Sequence, residues 1–262
     1  MEKELKGKVA LIGGASKGLG FGCAEALAKH GAHIILVARN AESLKLAALK
    51  LEPYNVEVMT IAVDMADKQS NDKMIQEAIE KFGHIDILIN NSGGPKAGKY
   101  DTLDNEEYEA AFQSVLMYTI RLTKAVVPYM KKQGWGRIIN ITSLSVKEPA
   151  ETLILSNVFR VGVVAFAKSI SKELIQSNIT INNVCPGAFK TDRAKELIQN
   201  AALAADKSPE EIEAENVKKL PMGRYQRPDE LGSYVAYLCS SSASGITGTT
   251  LQIDGGISNG LF

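Results

Sequence analysis

Residues 13–20 read Gly-Gly-Ala-Ser-Lys-Gly-Leu-Gly, and they are the part of this chain best suited to hold a phosphate. Glycine bends tightly and lets backbone N–H groups close on an anion, while a helix opening there favours negative charge at its N-terminus. Alone, the run would be an ordinary strand–helix turn. Here it follows an apolar strand and leads into repeated strand–helix alternation, the context a dinucleotide pyrophosphate needs. The next strand ends in Ala38-Arg39-Asn40. A site selective for NAD(H) offers an acid about twenty residues beyond the glycines. Ala38 carries no charge, and Lys17 and Arg39 are cations able to clasp a 2′-phosphate. The pattern favours NADP(H) over NAD(H). No metal site is expected: His30, His33 and His84 stand singly, and Cys23, Cys185 and Cys239 form no CxxC pair. The cysteines read as small buried residues in a reducing, cytoplasmic compartment.

Such a turn needs a sheet beneath it. Short apolar runs at 9–12, 33–38, 56–63, 85–90, 136–141, 180–185 and 251–254 read as strands covered on both faces. Helical stretches lie between them at about 18–30, 41–51, 68–82, 104–132, 152–177 and 228–240. This alternation predicts an α/β protein, one domain spanning residues 1–262, with a doubly wound parallel sheet of seven strands. Ligands then gather beyond the carboxyl ends of the strands. Residues 192–220 break the rhythm with two short helices. Glu210, Glu211, Glu213 and Glu215 there read as a solvated face, and the position after a strand end also suits a substrate lid. The 262 residues carry 30 basic and 30 acidic side chains, with no basic face for nucleic acid or anionic lipid. The longest apolar run, 161–167, is too short to span a bilayer. A small molecule is the expected partner.

Several further motifs, in fixed order, resemble the short-chain dehydrogenase/reductase family, 3-oxoacyl-acyl-carrier-protein reductases among its members. Gly14-Ala15-Ser16-Lys17-Gly18-Leu19-Gly20 is similar to the family's glycine motif, with Gly13 where threonine is usual. Asp64-Met65 matches a pair that lies against adenine, and Asn90-Asn91-Ser92-Gly93 is similar to the NNAG motif. Asn140-Ile141-Thr142-Ser143 resembles the strand bearing the active-site serine. Asn182-Asn183-Val184-Cys185-Pro186-Gly187, with Thr191, resembles the turn flanking nicotinamide. The resemblance covers nearly the whole chain and implies a Rossmann fold. It implies cofactor contacts from Gly14, Ser16, Lys17, Gly18, Leu19, Gly20, Arg39, Asp64, Met65, Asn91, Ser92, Gly93, Pro186, Gly187 and Thr191.

The resemblance also exposes a departure. Family members interconvert carbonyls and alcohols, with hydride from the cofactor and a proton from a tyrosine assisted by a lysine one helical turn later. Aligned from Ser143, those two places hold Ser156 and Arg160, and the asparagine of the preceding long helix becomes Val115. No tyrosine occurs between Tyr129 and Tyr225. A serine alcohol is a poor proton donor at neutral pH, yet general acid–base help is worth only about 10²–10⁴ in rate. Arg160 can stabilise a developing alkoxide or bond the ribose. Three readings follow. The chain is a reductase in which Ser143, Ser156 and Arg160 position a carbonyl, with water, substrate, Lys147 or Tyr118 delivering the proton. It is a non-catalytic NADP(H)-binding regulatory protein. Or it is the inactive structural partner of another subunit, with Ser156 a helix-start serine and Arg160 a surface or interface arginine. The first is favoured because both cofactor turns look intact.

Apolar faces on the two long helices, including Val115, Leu116, Ile120, Val163, Val164 and Phe166, serve sheet packing or, as the resemblance implies, assembly into a homotetramer. The segment 192–220, with Tyr100 and Glu148 nearby, is expected to shape the substrate pocket and shows no charge signature for one ligand.

Overall fold

A computed structural model of the chain describes residues 4–261. Seven strands form one parallel sheet in the order β3-β2-β1-β4-β5-β6-β7. They are β1 (Val9–Gly13), β2 (His33–Ala38), β3 (Val58–Ala62), β4 (Ile87–Asn90), β5 (Gly136–Ile141), β6 (Ile179–Pro186) and β7 (Thr250–Ile253). The expected fold class holds, with ends moved by one or two residues. β3 departs from the expectation of two covered faces: it is the sheet edge, and Thr60 and Ala62 are exposed. Parallel strands need crossovers, and helices supply them on both faces. α1 (Gly18–Lys29), α2 (Ala41–Leu49) and α9 (Pro228–Cys239) cover one face through Leu27, Leu44, Leu231 and Val235. On the other face α3 (Lys68–Phe82), α5 (Tyr118–Gln133) and α6 (Ile154–Leu174) pack through Met74, Leu122, Val126 and Ala167.

The expected long helix at 104–132 is three pieces. α4 (Asn105–Ala111) opens on an Asp104–Glu107 capping box. Phe112–Met117 then widens into a π-helical turn before α5 begins. Such a turn re-aims side chains along a helix. It points Val115 and Tyr118 into the interior. The expected pair of helices after β6 is present as α7 (Asp192–Ala205) and α8 (Pro209–Lys219), with Glu210 and Glu211 exposed. Among the described residues, Ile154–Ser177 is the one helix long and apolar enough to cross a membrane by length and composition. Its buried side includes Leu155, Val163, Ala167 and Leu174 together with Ser156, Arg160 and Ser171, and it packs on β6.

Strand order reverses beside β1, whose neighbours are β2 and β4, so the crevice for a ligand lies at their carboxyl ends. Next to it runs a buried ladder of asparagines. Asn90 donates to Asn140 at 2.9 Å, Asn140 to Asn183 at 2.9 Å, and Asn183 to Thr250 at 3.2 Å. These residues sit side by side in the β4–β5–β6–β7 register. Nearly every link is a satisfied buried amide, which makes the carboxyl edge of the sheet stiff.

The glycine turn is held from behind by α9. A Cβ at Gly232 would overlap the Gly22 carbonyl, and one at Gly22 would sit 2.5 Å from the Pro228 carbonyl oxygen. Gly232→Ala is therefore expected to cost on the order of 1–3 kcal/mol by overpacking, lowering the thermal midpoint by several degrees. A melting curve that does not move would contradict this packing.

Candidate active site

The start of α1 differs from that of five other helices. Asn40, Asp67, Asp104, Thr191 and Ser208 each cap a helix with a side-chain oxygen. α1 has no side-chain cap and no acid in its first turn. Its leading N–H groups are left for an external anion. Gly14 and Gly18 hold φ of 58° and 59°, a left-handed conformation that favours glycine. Asn91 supports the bend from β4, its Nδ2 donating to the Gly13 carbonyl at 3.0 Å. Half-buried Ser16 and Leu19, buried Gly20 and the open edge of Gly93 complete the cradle, with Ser92 half-buried beside it. The residues present thus fit a pyrophosphate. Asp64 folds onto the Ala66 amide at 2.9 Å, and the Met65 carbonyl accepts from Asn71. Met65 Sδ lies against Gly13.

The two cations expected to clasp a 2′-phosphate, Lys17 and Arg39, stand in different surroundings. Lys17 Nζ is paired with Asp192 at 2.8 Å, across the mouth of the crevice. Both side chains are more than half exposed, so this pair is a weak tie that an anion can compete for. Arg39 is exposed and has no ion pair among the described residues. The 175-residue separation of Lys17 and Asp192 left no local trace in the sequence.

At the other end of the crevice, Ser143 follows β5 and caps a single turn, Leu144–Val146, through the Ser145 amide at 3.1 Å. Ser156, in the first turn of α6, is buried and hydrogen-bonds Ser145 Oγ at 3.1 Å. It caps nothing. Its hydroxyl is committed to Ser145, a partner that motif alignment overlooked, and does not meet Ser143. Arg160 is not a surface residue: only 7% of it is exposed. Its Nη1 donates to the carbonyls of Ile141 (2.7 Å) and Thr142 (3.0 Å), immediately before Ser143. No carboxylate pairs with it among the described residues. Burial pulls its pKa down to about 10, so it stays charged at neutral pH. Burial also pushes up the Cys185 thiol, which touches Thr142 Oγ1 at 3.2 Å.

Tyr118 explains the glycine that stands at position 13. The ring is 1% exposed, and its hydroxyl lies where a Cβ on Gly13 would be. Burial raises its pKa, with the Asn91 backbone and Arg160 pulling the other way, so it is a weaker acid than an ordinary tyrosine. Lys147 is half-buried just beyond the Ser143 turn.

β6 delivers the remaining residues. Pro186 pairs with Ile253, and Gly187 donates to the Ile253 carbonyl at 3.1 Å. A Cβ on Gly187 would press on Asp254, and the Thr191 methyl faces Gly18. Arg193 reaches across to the Pro95 carbonyl at 2.9 Å. The start of α7 therefore bridges the loops after β1 and β4. Tyr100, expected near the substrate, is largely exposed.

This arrangement, a parallel sheet with an uncapped glycine turn and a serine-bearing strand end, defines a dinucleotide-fold oxidoreductase. Residues 14–258 match the family described as enoyl-(acyl carrier protein) reductase, and the chain belongs to the short-chain dehydrogenase/reductases. It is 33% identical to a putative ketoacyl reductase of monensin polyketide synthase from Streptomyces virginiae, over 96% of this chain and 97% of that one. It is 31% identical to the 3-oxoacyl-[acyl-carrier-protein] reductase FabG of Aquifex aeolicus, covering 98% and 100%. An L-sorbose reductase from Gluconobacter frateurii, solved with NADPH and L-sorbose, superposes with a TM-score of 0.94 at 31% identity, covering both chains completely.

Gly13 and Tyr118 should behave as one unit. Gly13→Ala is expected to destabilise by about 1–3 kcal/mol in the parent, and by less when Tyr118 is already Phe, the remainder coming from the Asn91 carbonyl oxygen 2.7 Å from the added Cβ. A double-mutant cycle by urea denaturation with a coupling energy near zero would rule this out.

Proposed function

We propose that this chain is an NADP(H)-dependent reductase of small carbonyl compounds, working without the tyrosine–lysine pair. The observation that carries the proposal is Arg160, a buried cation with no carboxylate, held on the last carbonyls of β5 beside Ser143. When bound, the dinucleotide supplies the hydride. Gly14, Ser16, Gly18, Leu19 and Gly20 would receive its pyrophosphate, Asp64 and Met65 its adenine end, and Asn91, Ser92, Gly93, Pro186, Gly187 and Thr191 its nicotinamide half. Arg39, unpaired at the end of β2, would hold the 2′-phosphate, with Lys17 joining after release from Asp192. Ser143 donates a hydrogen bond to the substrate oxygen. Arg160 sets a positive field where negative charge develops on that oxygen. Ser156 fixes the Ser143 turn through Ser145. Proton delivery then falls to water. The three buried free cysteines suit a cytoplasmic setting.

The proposed assembly is a homotetramer. Of the apolar residues expected to serve sheet packing or assembly, Val115 and Val163 are buried. Phe112, Tyr129, Val158 and Val161 are exposed large hydrophobic residues along these helices, with Phe112 tilted against Phe159 at 6.1 Å. A patch of this kind supports pairing with a second copy.

Arg39→Ala is expected to weaken NADPH binding by about 10–100-fold, the value of a charge-assisted phosphate contact, and to leave NADH binding within about twofold. Calorimetric titration with each cofactor decides this, and equal losses would remove the 2′-phosphate assignment. Because Arg160 loses its proton only near pH 10, kcat/KM for NADPH-dependent ketone reduction should stay level from about pH 6 to 9 and fall above. Arg160→Met should lower it on the order of 10²–10³-fold across that range. A limb centred near pH 7 would point to a different proton donor.

A further inference from the structure

Beyond β7, residues 254–260 are held by two carboxylates that play no part in the chemistry above. Asp254 accepts from the Gly256 amide (Oδ1, 3.0 Å) and the Ser258 amide (Oδ2, 3.0 Å), which coils the segment on itself. Glu148, five residues after Ser143, reaches it from the other side. Its Oε1 accepts from Ser258 Oγ at 2.8 Å, Asn259 N at 2.6 Å and Gly260 N at 2.7 Å. Consecutive backbone N–H groups closing on one oxygen form an anion nest, and the anion here is this chain's own side chain. These bonds hold Glu148 below the usual carboxylate range, so it remains ionised through neutral pH.

The same segment also touches the turn after β6 and the chain after α8. Asp254 abuts Gly187, so closely that a Cβ there would meet its backbone at 2.7 Å. Gly255, at φ 67°, lets the chain pass under Met222, just after α8, and Gly256 lies near Pro221. These parts close on one another along Ala188, Leu220, Met222, Gln226, Asp254 and Ile257, with no room for a water between them. The loop after Ser143, the turn after β6 and the exit of α8 thus meet on one short segment.

We infer that residues 254–260 form a specificity-determining wall of the substrate cleft, and that Glu148 is the positioning residue that latches this wall to the Ser143 loop. The specificity role rests on the reductase reading, whereas the latch does not. Glu148 never touches the reacting atoms. It decides how far the cleft can open on the side away from the glycine turn. A wall held at one point by a carboxylate separates small from bulky carbonyls, because releasing it enlarges the cleft without altering Ser143 or Arg160.

Two readouts on NADPH-saturated protein test this. Amide hydrogen exchange of the peptide covering 254–261 is compared in the parent, Glu148→Gln and Glu148→Ala. Exchange should rise at least about tenfold in the alanine variant and by an intermediate factor in the glutamine variant, which keeps an acceptor but not the charge. Reduction of methyl ketones from 2-butanone to 2-decanone is then followed. The ratio of kcat/KM for the longest to the shortest ketone should change at least about fivefold in Glu148→Ala, carried by KM. Unchanged exchange overturns the latch. Raised exchange with an unchanged ratio, or a uniform loss shared with NADPH affinity, overturns the specificity role. If the parent reduces none of the ketones while its exchange responds as expected, the reductase reading falls with the specificity role and the latch stands.

Discussion

One buried charge, the guanidinium of Arg160, is almost fully shielded from solvent with no acid to answer it among the described residues. A buried cation is costly unless polar groups surround it, and here two backbone carbonyls do part of that work. The carbonyls belong to Ile141, the last residue of β5, and Thr142, the residue after it, just before Ser143. The rest of the site depends on that arrangement. β5 must end there, α6 must lie at a depth that brings Arg160 to the strand end, and the sheet edge must not yield. The asparagine ladder from Asn90 to Asn183 supplies the stiffness, since moving any member would strand a buried amide.

The opposite end of the crevice solves a different problem. The first turn of α1 must meet an anion with bare backbone, so glycines replace side chains and no acid or cap intervenes. Removing side chains leaves space, and the interior fills it from elsewhere: Tyr118 from α5, Asn91 from β4 and the glycine face of α9. The turn is rigid because its neighbours are close, not because it has its own bulk. The π-helical turn before α5 belongs to the same solution, since it carries Tyr118 to Gly13.

Lys17 and Asp192 show how a cofactor cleft can be tied without being sealed. The pair is exposed and therefore weak, and it spans the mouth between the glycine turn and α7. Arg193, bonded to the Pro95 carbonyl, makes a second tie one residue away. Both ties are polar contacts that water or ligand can replace.

Periodicity and glycine spacing determined the seven parallel strands, the uncapped turn at 13–20 and the two helices after β6. These are local features, set by residues within a few positions of one another. The ordered motifs also located Ser143, Ser156 and Arg160, because their neighbours in the chain are distinctive. Contact between distant residues was not legible. That Lys17 meets Asp192, that Ser156 turns to Ser145, that Arg160 is buried and that Tyr118 requires Gly13 are facts of packing, decided only when helices settle at fixed depth on the sheet. A side chain's type limits what it can bond, but the burial that sets its charge and its partner comes from residues that are remote in the chain.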